Sequence, residues 1–170
     1  MSQPVAAIEV TLVCAAWEDC CPDAERLVRS AARLALARGA SDSAIVLPAR
    51  AELAVVLADD AEQRRLNREW RGLDRPTNVL AFPAWDPGMP LPADAPLLLG
   101  DIVLACETVV HEAAEQHKTV ADHLSHLVVH GVLHLLGYDH ATEPEAAAME
   151  SIEKSVLASL GVADPYRDIM

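Results

Sequence analysis

At 170 residues, 52% of them hydrophobic, the chain is long enough for a real core and is read as one metal-dependent hydrolase domain over residues 1–170. Its formal net charge of −13 excludes the wholesale phosphate neutralisation on which generic nucleic-acid binders rely, so DNA is not an expected partner. No apolar run approaches the length of a membrane span, and no basic region precedes the apolar N-terminal stretch, so a cytoplasmic protein, neither membrane-anchored nor secreted, is expected.

In chain order, residues 5–13 alternate enough apolar β-branched positions to predict a strand. A helix follows over 23–38, opened by Pro22 and closed by Gly39. Cys14, Cys20, Cys21 and Cys106 form no C-x-x-C pair and read as reduced thiols. Residues 51–58 predict a second strand, after which Asp59 or Asp60 caps a helix running to Trp70 with Gly72 as its stop. Arg64, Arg68 and Arg71 share one face of that helix by i, i+4, i+7 spacing. Residues 62–75 hold five arginines against three acidic residues, a local balance of +2 in a chain otherwise at −15. The stripe suits phosphates, and an ordinary solvated face explains it equally well. Asn78–Pro83 predicts a short strand, 83–96 a proline-rich loop and Leu97–Ala105 a returning strand. Helices are expected over 107–117 and 120–136, and a last one opens on the capping box Thr142 to Glu145 and ends before Gly161. Sheet and helices without strict βαβ alternation indicate an α+β domain.

The segment HGVLHLLGYDH, His130 to His140, carries the chemistry. Residues four apart on a helix stand nearly above one another, so His130 and His134 present their imidazoles from one face. Gly137 supplies the residue that can turn left-handed at the helix end and return His140 to the same point. The spacing H-x3-H-x2-G-x2-H is that of the metzincin zinc ligands, with Gly131 where the metzincin glutamate stands. Three protein nitrogens and an open fourth position suit catalytic zinc, one per chain, which lowers the pKa of water to about 7. Glycine cannot act as a general base, which counts against peptide hydrolysis. His126 also stands four residues before His130, but that pair lacks a glycine and a returning histidine at matching offsets. His126 is then read first as packed, with support of a ligand from behind or a substrate-facing place as the alternatives, and His111, His117 and His123 are read as solvated surface.

These eleven residues, with LNREWRGLDRPTNVLAFP from Leu66 to Pro83 and LLGDIVLA from Leu98 to Ala105, resemble the YbeY family of bacterial endoribonucleases, in the family's order. The resemblance implies a zincin-like α+β fold: a mixed sheet of about four strands packed with helices, the metal site on a central helix and the turn after it. It also implies a zinc-dependent, single-strand-specific endoribonuclease acting in ribosomal RNA processing, including small-subunit 3′-end maturation, and in ribosome quality control. The implied partners are single-stranded and ribosomal RNA and the ribosome. Carried over by residue, His130, His134 and His140 match the zinc ligands and Arg71 the family's active-site arginine, so Arg71 and His130 are the candidate catalytic residues. An arginine suits that place because its planar fork pairs bidentately with phosphate oxygens.

Two departures stand out: Asn78, where many relatives have aspartate, and Ala81, where they have serine. Asp139 either orients a ligating imidazole or stabilises the turn, and Asp101 either supports the site or ends a strand. Rival readings are a zinc hydrolase of peptides or small molecules and a non-catalytic ribosome assembly factor with a structural metal. Three imidazoles would accept Ni²⁺ or Cu²⁺ about as well as zinc.

Overall fold

A computed structural model describes residues 7–43, 45, 47–48, 50–86 and 96–166. Three strands run parallel, β1 (Ala7–Leu12), β2 (Ala51–Ala58) and β4 (Leu97–Ala105), and β3 (Val79–Pro83) pairs antiparallel with β4 at the edge. The order across this four-stranded sheet is β1-β2-β4-β3, the mixed sheet expected of the α+β reading. Residues 5 and 6 of the first expected strand, and 87–95 of the proline-rich loop, lie outside the described residues.

Strand side chains alternate between the two faces, and here each face meets different helices. On one face Leu53, Val55, Leu57, Ile102 and Leu104 join the main core with α2 (Ala24–Asp42), α5 (Val120–Leu135) and α6 (Glu143–Ser159). On the other, Leu80, Val103 and Ala58 form a smaller cluster against Leu66 of α3 (Asp60–Arg71). Two further helices, α1 (Ala16–Cys20) and α4 (Cys106–Glu115), complete the described elements. Among the described residues no helix is long and apolar enough to cross a membrane.

Several ends are set by local chemistry. Asp59 accepts from Glu62 N and Thr142 from Glu145 N, both N-caps as the sequence predicts. Gly72 closes α3 with φ 70°. Gly39 does not close α2, which runs on to Asp42. A Cβ at Gly39 would come within 2.7 Å of Leu136 and 2.8 Å of Leu133, so the glycine is there to let α2 and α5 approach. That requirement is tertiary, which is why it reads locally as a stop signal. The short α1 escaped prediction, and it is held where the buried Trp17 donates its indole N–H to Ala58 O at 2.9 Å.

Candidate metal centre

α5 is the central helix. Ten of its 16 residues are buried, so packing on the sheet leaves it no freedom to rotate about its axis. Its ligand-bearing stripe opens at one edge of that packing, where His130 and His134 are half-buried. At the C-terminus Gly137 adopts φ 102°, and the turn closes with Gly137 N donating to His134 O and Tyr138 N to Leu133 O, both at 3.0 Å. That pair of bonds is a Schellman cap, and it reverses the chain. His140 returns as the spacing predicts, and ring nitrogens of His130, His134 and His140 all lie within 4.8 Å of one another. His130 Nε2 and His134 Nε2 are 3.0 Å apart.

The donor set fits a metal on its own chemistry. His134 has its pKa lowered, first by burial and then by His130 and His140, so the ring is held in the neutral form that ligates. His130 Nδ1 lies 2.6 Å from Oε1 of Glu153, a fully buried carboxylate on α6. Burial alone would raise the Glu153 pKa, but hydrogen bonds from His126, His130 and Tyr166 overcome it and bring the carboxyl down to about 2. An ionised carboxylate only accepts, so His130 donates from Nδ1 and turns its Nε2 lone pair toward the other two imidazoles.

A cleft of about 560 Å³ opens over the triad, lined also by Arg71, Asn78, His126, Asp139 and Tyr166. Arg71 reaches it from the last turn of α3, donating from Nη2 to Ala81 O at 2.8 Å with its guanidinium 5.4 Å from the Phe82 ring centroid. The rest of the arginine stripe is partly neutralised: Arg64 is paired with Asp74 at 2.8 Å. Asp139 Oδ1 accepts from His140 N at 2.8 Å, which braces the turn rather than an imidazole ring. Asp101 is exposed on β4 and takes no part in the cleft lining.

The other histidines divide. His111 is exposed and pairs with Glu115 at 2.9 Å, and His117 is exposed too. His126 is packed, its Nε2 3.4 Å from Glu153 Oε2. His123 is not on the surface: it is 2% exposed and lies 2.9 Å from Glu112 Oε1. The reason is its place where α5 packs on α4, whose Glu112 gives it a partner. Glu153 and Tyr166 were not singled out from sequence, yet Tyr166, on the cleft wall, donates its OH to Oε2 of Glu153, which is buried behind His130. One signal was present: Met149, Ile152, Glu153, Val156 and Leu157 make the apolar stripe of α6, and a lone carboxylate in such a stripe needs partners.

Gly131 has a spatial role. A Cβ there would lie 3.1 Å from Ile102 Cγ2, so the position where metzincins place glutamate is occupied here by the sheet's close approach.

A mixed four-stranded sheet, a buried helix ending in a convergent histidine triad and an arginine on the cleft wall define an α+β protein built around a metal-type centre. The model of the family described as endoribonuclease YbeY matches residues 22–161. The chain is 55% identical over 161 residues to a Paramagnetospirillum magneticum protein named endoribonuclease YbeY, covering 94% of each chain. A Rhodopseudomonas palustris protein of the same name is 52% identical, over 95% of this chain and 91% of the relative. With matches of that extent, this chain belongs to the YbeY family. Its fold is also that of a Thermotoga maritima protein solved in solution, with TM-score 0.53 and 22% identity over 95% of this chain and 99% of the other.

Proposed function

We propose that this chain is a zinc-dependent, single-strand-specific endoribonuclease of the cytoplasm, acting on ribosomal RNA in small-subunit 3′-end maturation and in ribosome quality control. The observation that carries the reading is the meeting of three convergent imidazoles and the Arg71 guanidinium on one cleft. The family membership and the names of the relatives, which are endoribonucleases, support an RNA substrate.

His130, His134 and His140 would hold the zinc. When bound, the ion would supply Lewis acidity, polarising a phosphoryl oxygen and making water more acidic near neutral pH. The residues of the chain do the rest. Glu153 keeps the proton of His130 on Nδ1, so Nε2 stays a ligand. Arg71, anchored through one N–H to Ala81 O and over Phe82, has no other hydrogen-bond partner among the described residues, which leaves donors for the charge that builds on phosphorus. Fixing the guanidinium beforehand spares the cost of ordering it in the transition state. Gly131 offers no carboxylate to take a proton, which disfavours the peptidase alternative.

The test is cleavage of labelled single-stranded RNA by the protein as purified, with zinc content measured by elemental analysis. One zinc per chain and cleavage by the unaltered protein are expected. Arg71→Ala should lower kcat/KM by about a hundredfold or more while keeping the metal, and His134→Ala should lose both the metal and cleavage. Unchanged cleavage in both variants overturns the mechanism. No cleavage by any form, with metal still bound, would put the assembly-factor role in its place.

A further inference from the structure

β3 brings to the cleft a donor that belongs to no side chain. Val79, Ala81 and Pro83 of this edge strand line the cleft together with His130 and His134. In an antiparallel ladder, residues alternate between bonding to the partner strand and turning their N–H and C=O off the free edge. Ala84 N donates to Leu99 O at 2.9 Å and Ala105 N to Asn78 O at 3.3 Å, and the register between them pairs Leu80 with Val103 and Phe82 with Asp101. Leu80 and Phe82 therefore bond to β4, while Val79, Ala81 and Pro83 turn their main-chain groups outward. The bond from Arg71 Nη2 to Ala81 O, at 2.8 Å, runs in that outward direction.

The three outward positions do not offer the same thing. Val79 N already donates to Asn78 Oδ1 at 2.7 Å, and Pro83 has no N–H. That leaves the Ala81 N–H as the outward donor of β3 with no partner among the described residues. We propose that this main-chain N–H is a second donor to the phosphate that is cut, holding one of its oxygens while the Arg71 guanidinium holds another. The inference rests on the RNA-cleaving reading above and adds to it a catalytic group drawn from the backbone.

The N–H and C=O of one outward strand residue leave the same edge side by side. Ala81 O by itself would repel an anion, but the guanidinium covers it and reverses the sign of the field there. A phosphate oxygen at that spot meets a full positive charge and the Ala81 dipole together. The ladder to β4 fixes the N–H in place before substrate arrives, so no side-chain rotamer has to be frozen as charge builds on phosphorus. Two donors on neighbouring oxygens also hold the phosphate against rotation, which one guanidinium contact at a single oxygen does not.

The experiment compares Ala81→Pro, which removes the N–H, with Ala81→Ser, which keeps it, in the metal-loaded full chain. Proline suits this place: the outer edge has no ladder bond to lose, Leu80 before it is already in a strand, and Pro83 stands two residues on with the same orientation. Ala81→Pro should keep its metal and its cooperative thermal unfolding and lower kcat on single-stranded RNA by about a hundredfold, with little change in KM. Ala81→Ser should retain at least about ten times the kcat of Ala81→Pro. Equal kcat in the two folded variants overturns the inference and leaves the nuclease reading standing. Titration of the unaltered chain with inorganic phosphate, followed by NMR, reads the donor without cleavage and decides if Ala81→Pro fails to fold. The Ala81 amide proton should move downfield while those of Leu80 and Phe82, bonded to β4, hold their places. An Ala81 amide that does not move overturns the inference. If the unaltered protein cuts no RNA, the nuclease reading fails by itself, and the same titration still upholds or overturns Ala81 as a phosphate donor.

Discussion

Helix α3 delivers Arg71 and helix α5 delivers His130 and His134 to the same cleft, and the two helices are held in place by opposite means. α5 is fixed by apolar burial: Leu124, Val128, Val132 and Leu133 are fully buried against the sheet and α2. α3 buries only Gln63 and Asn67, both polar. Gln63 donates to Val103 O at 3.0 Å and accepts from Thr77 N at 2.7 Å, tying the helix to β4 and to the loop before β3. Apolar contacts are many and non-directional, so the imidazole triad stands on a platform that tolerates small losses. Directional bonds are few, so the position of Arg71 depends on a handful of side chains: Gln63, Asn67 and Asp60, whose Oδ1 accepts from Thr108 N at 3.1 Å.

The largest effect on stability is expected from the first platform. Leu133→Ala should cost about 2–5 kcal/mol in urea unfolding, with RNA cleavage by the fraction that stays folded little changed. Gln63→Leu should cost less, about 1–3 kcal/mol, because it strands Val103 O and Thr77 N–H. Its effect on cleavage should nonetheless exceed that of Leu133→Ala, since Arg71 loses its register. A ranking of cleavage losses in the opposite order would refute the contrast between the two helices. The smallest effect concerns His123, a buried titratable residue of α5, faced by Glu112, Lys118 and His126. Burial holds its pKa below 6.5 in the folded chain, so the unfolded chain binds the proton first as pH falls. Stability from this residue is complete above 6.5 and declines as pH drops from there through the folded value. His123→Gln should flatten that part of a stability-against-pH curve measured by thermal unfolding.

Features governed by neighbours along the chain were legible. The i, i+4 spacing of His130 and His134, the left-handed Gly137, the Asp59 and Thr142 caps and the Gly72 stop all follow from helix geometry. So did the sheet, because each strand carries its own apolar pattern. Gly39 misled because a close helix crossing and a helix end both call for glycine. His123 misled because nothing near it in sequence announces Glu112, 11 residues away on α4. Glu153 lies 23 residues beyond His130, and only the docking of α6 on α5 sets its carboxylate against the imidazole.

The sequence by itself settled which atoms can gather at one point, since three ring nitrogens on a helix and its cap are placed by backbone geometry alone. Tertiary structure decided how those atoms are tuned and what shares their cleft. The tautomer of His130 depends on a carboxylate from α6, Arg71 is aimed by polar bonds between α3 and the sheet, and His123 finds its Glu112 partner only where α5 meets α4. Proton placement and electrostatic field depend on distance through space, and no spacing along the chain encodes that distance.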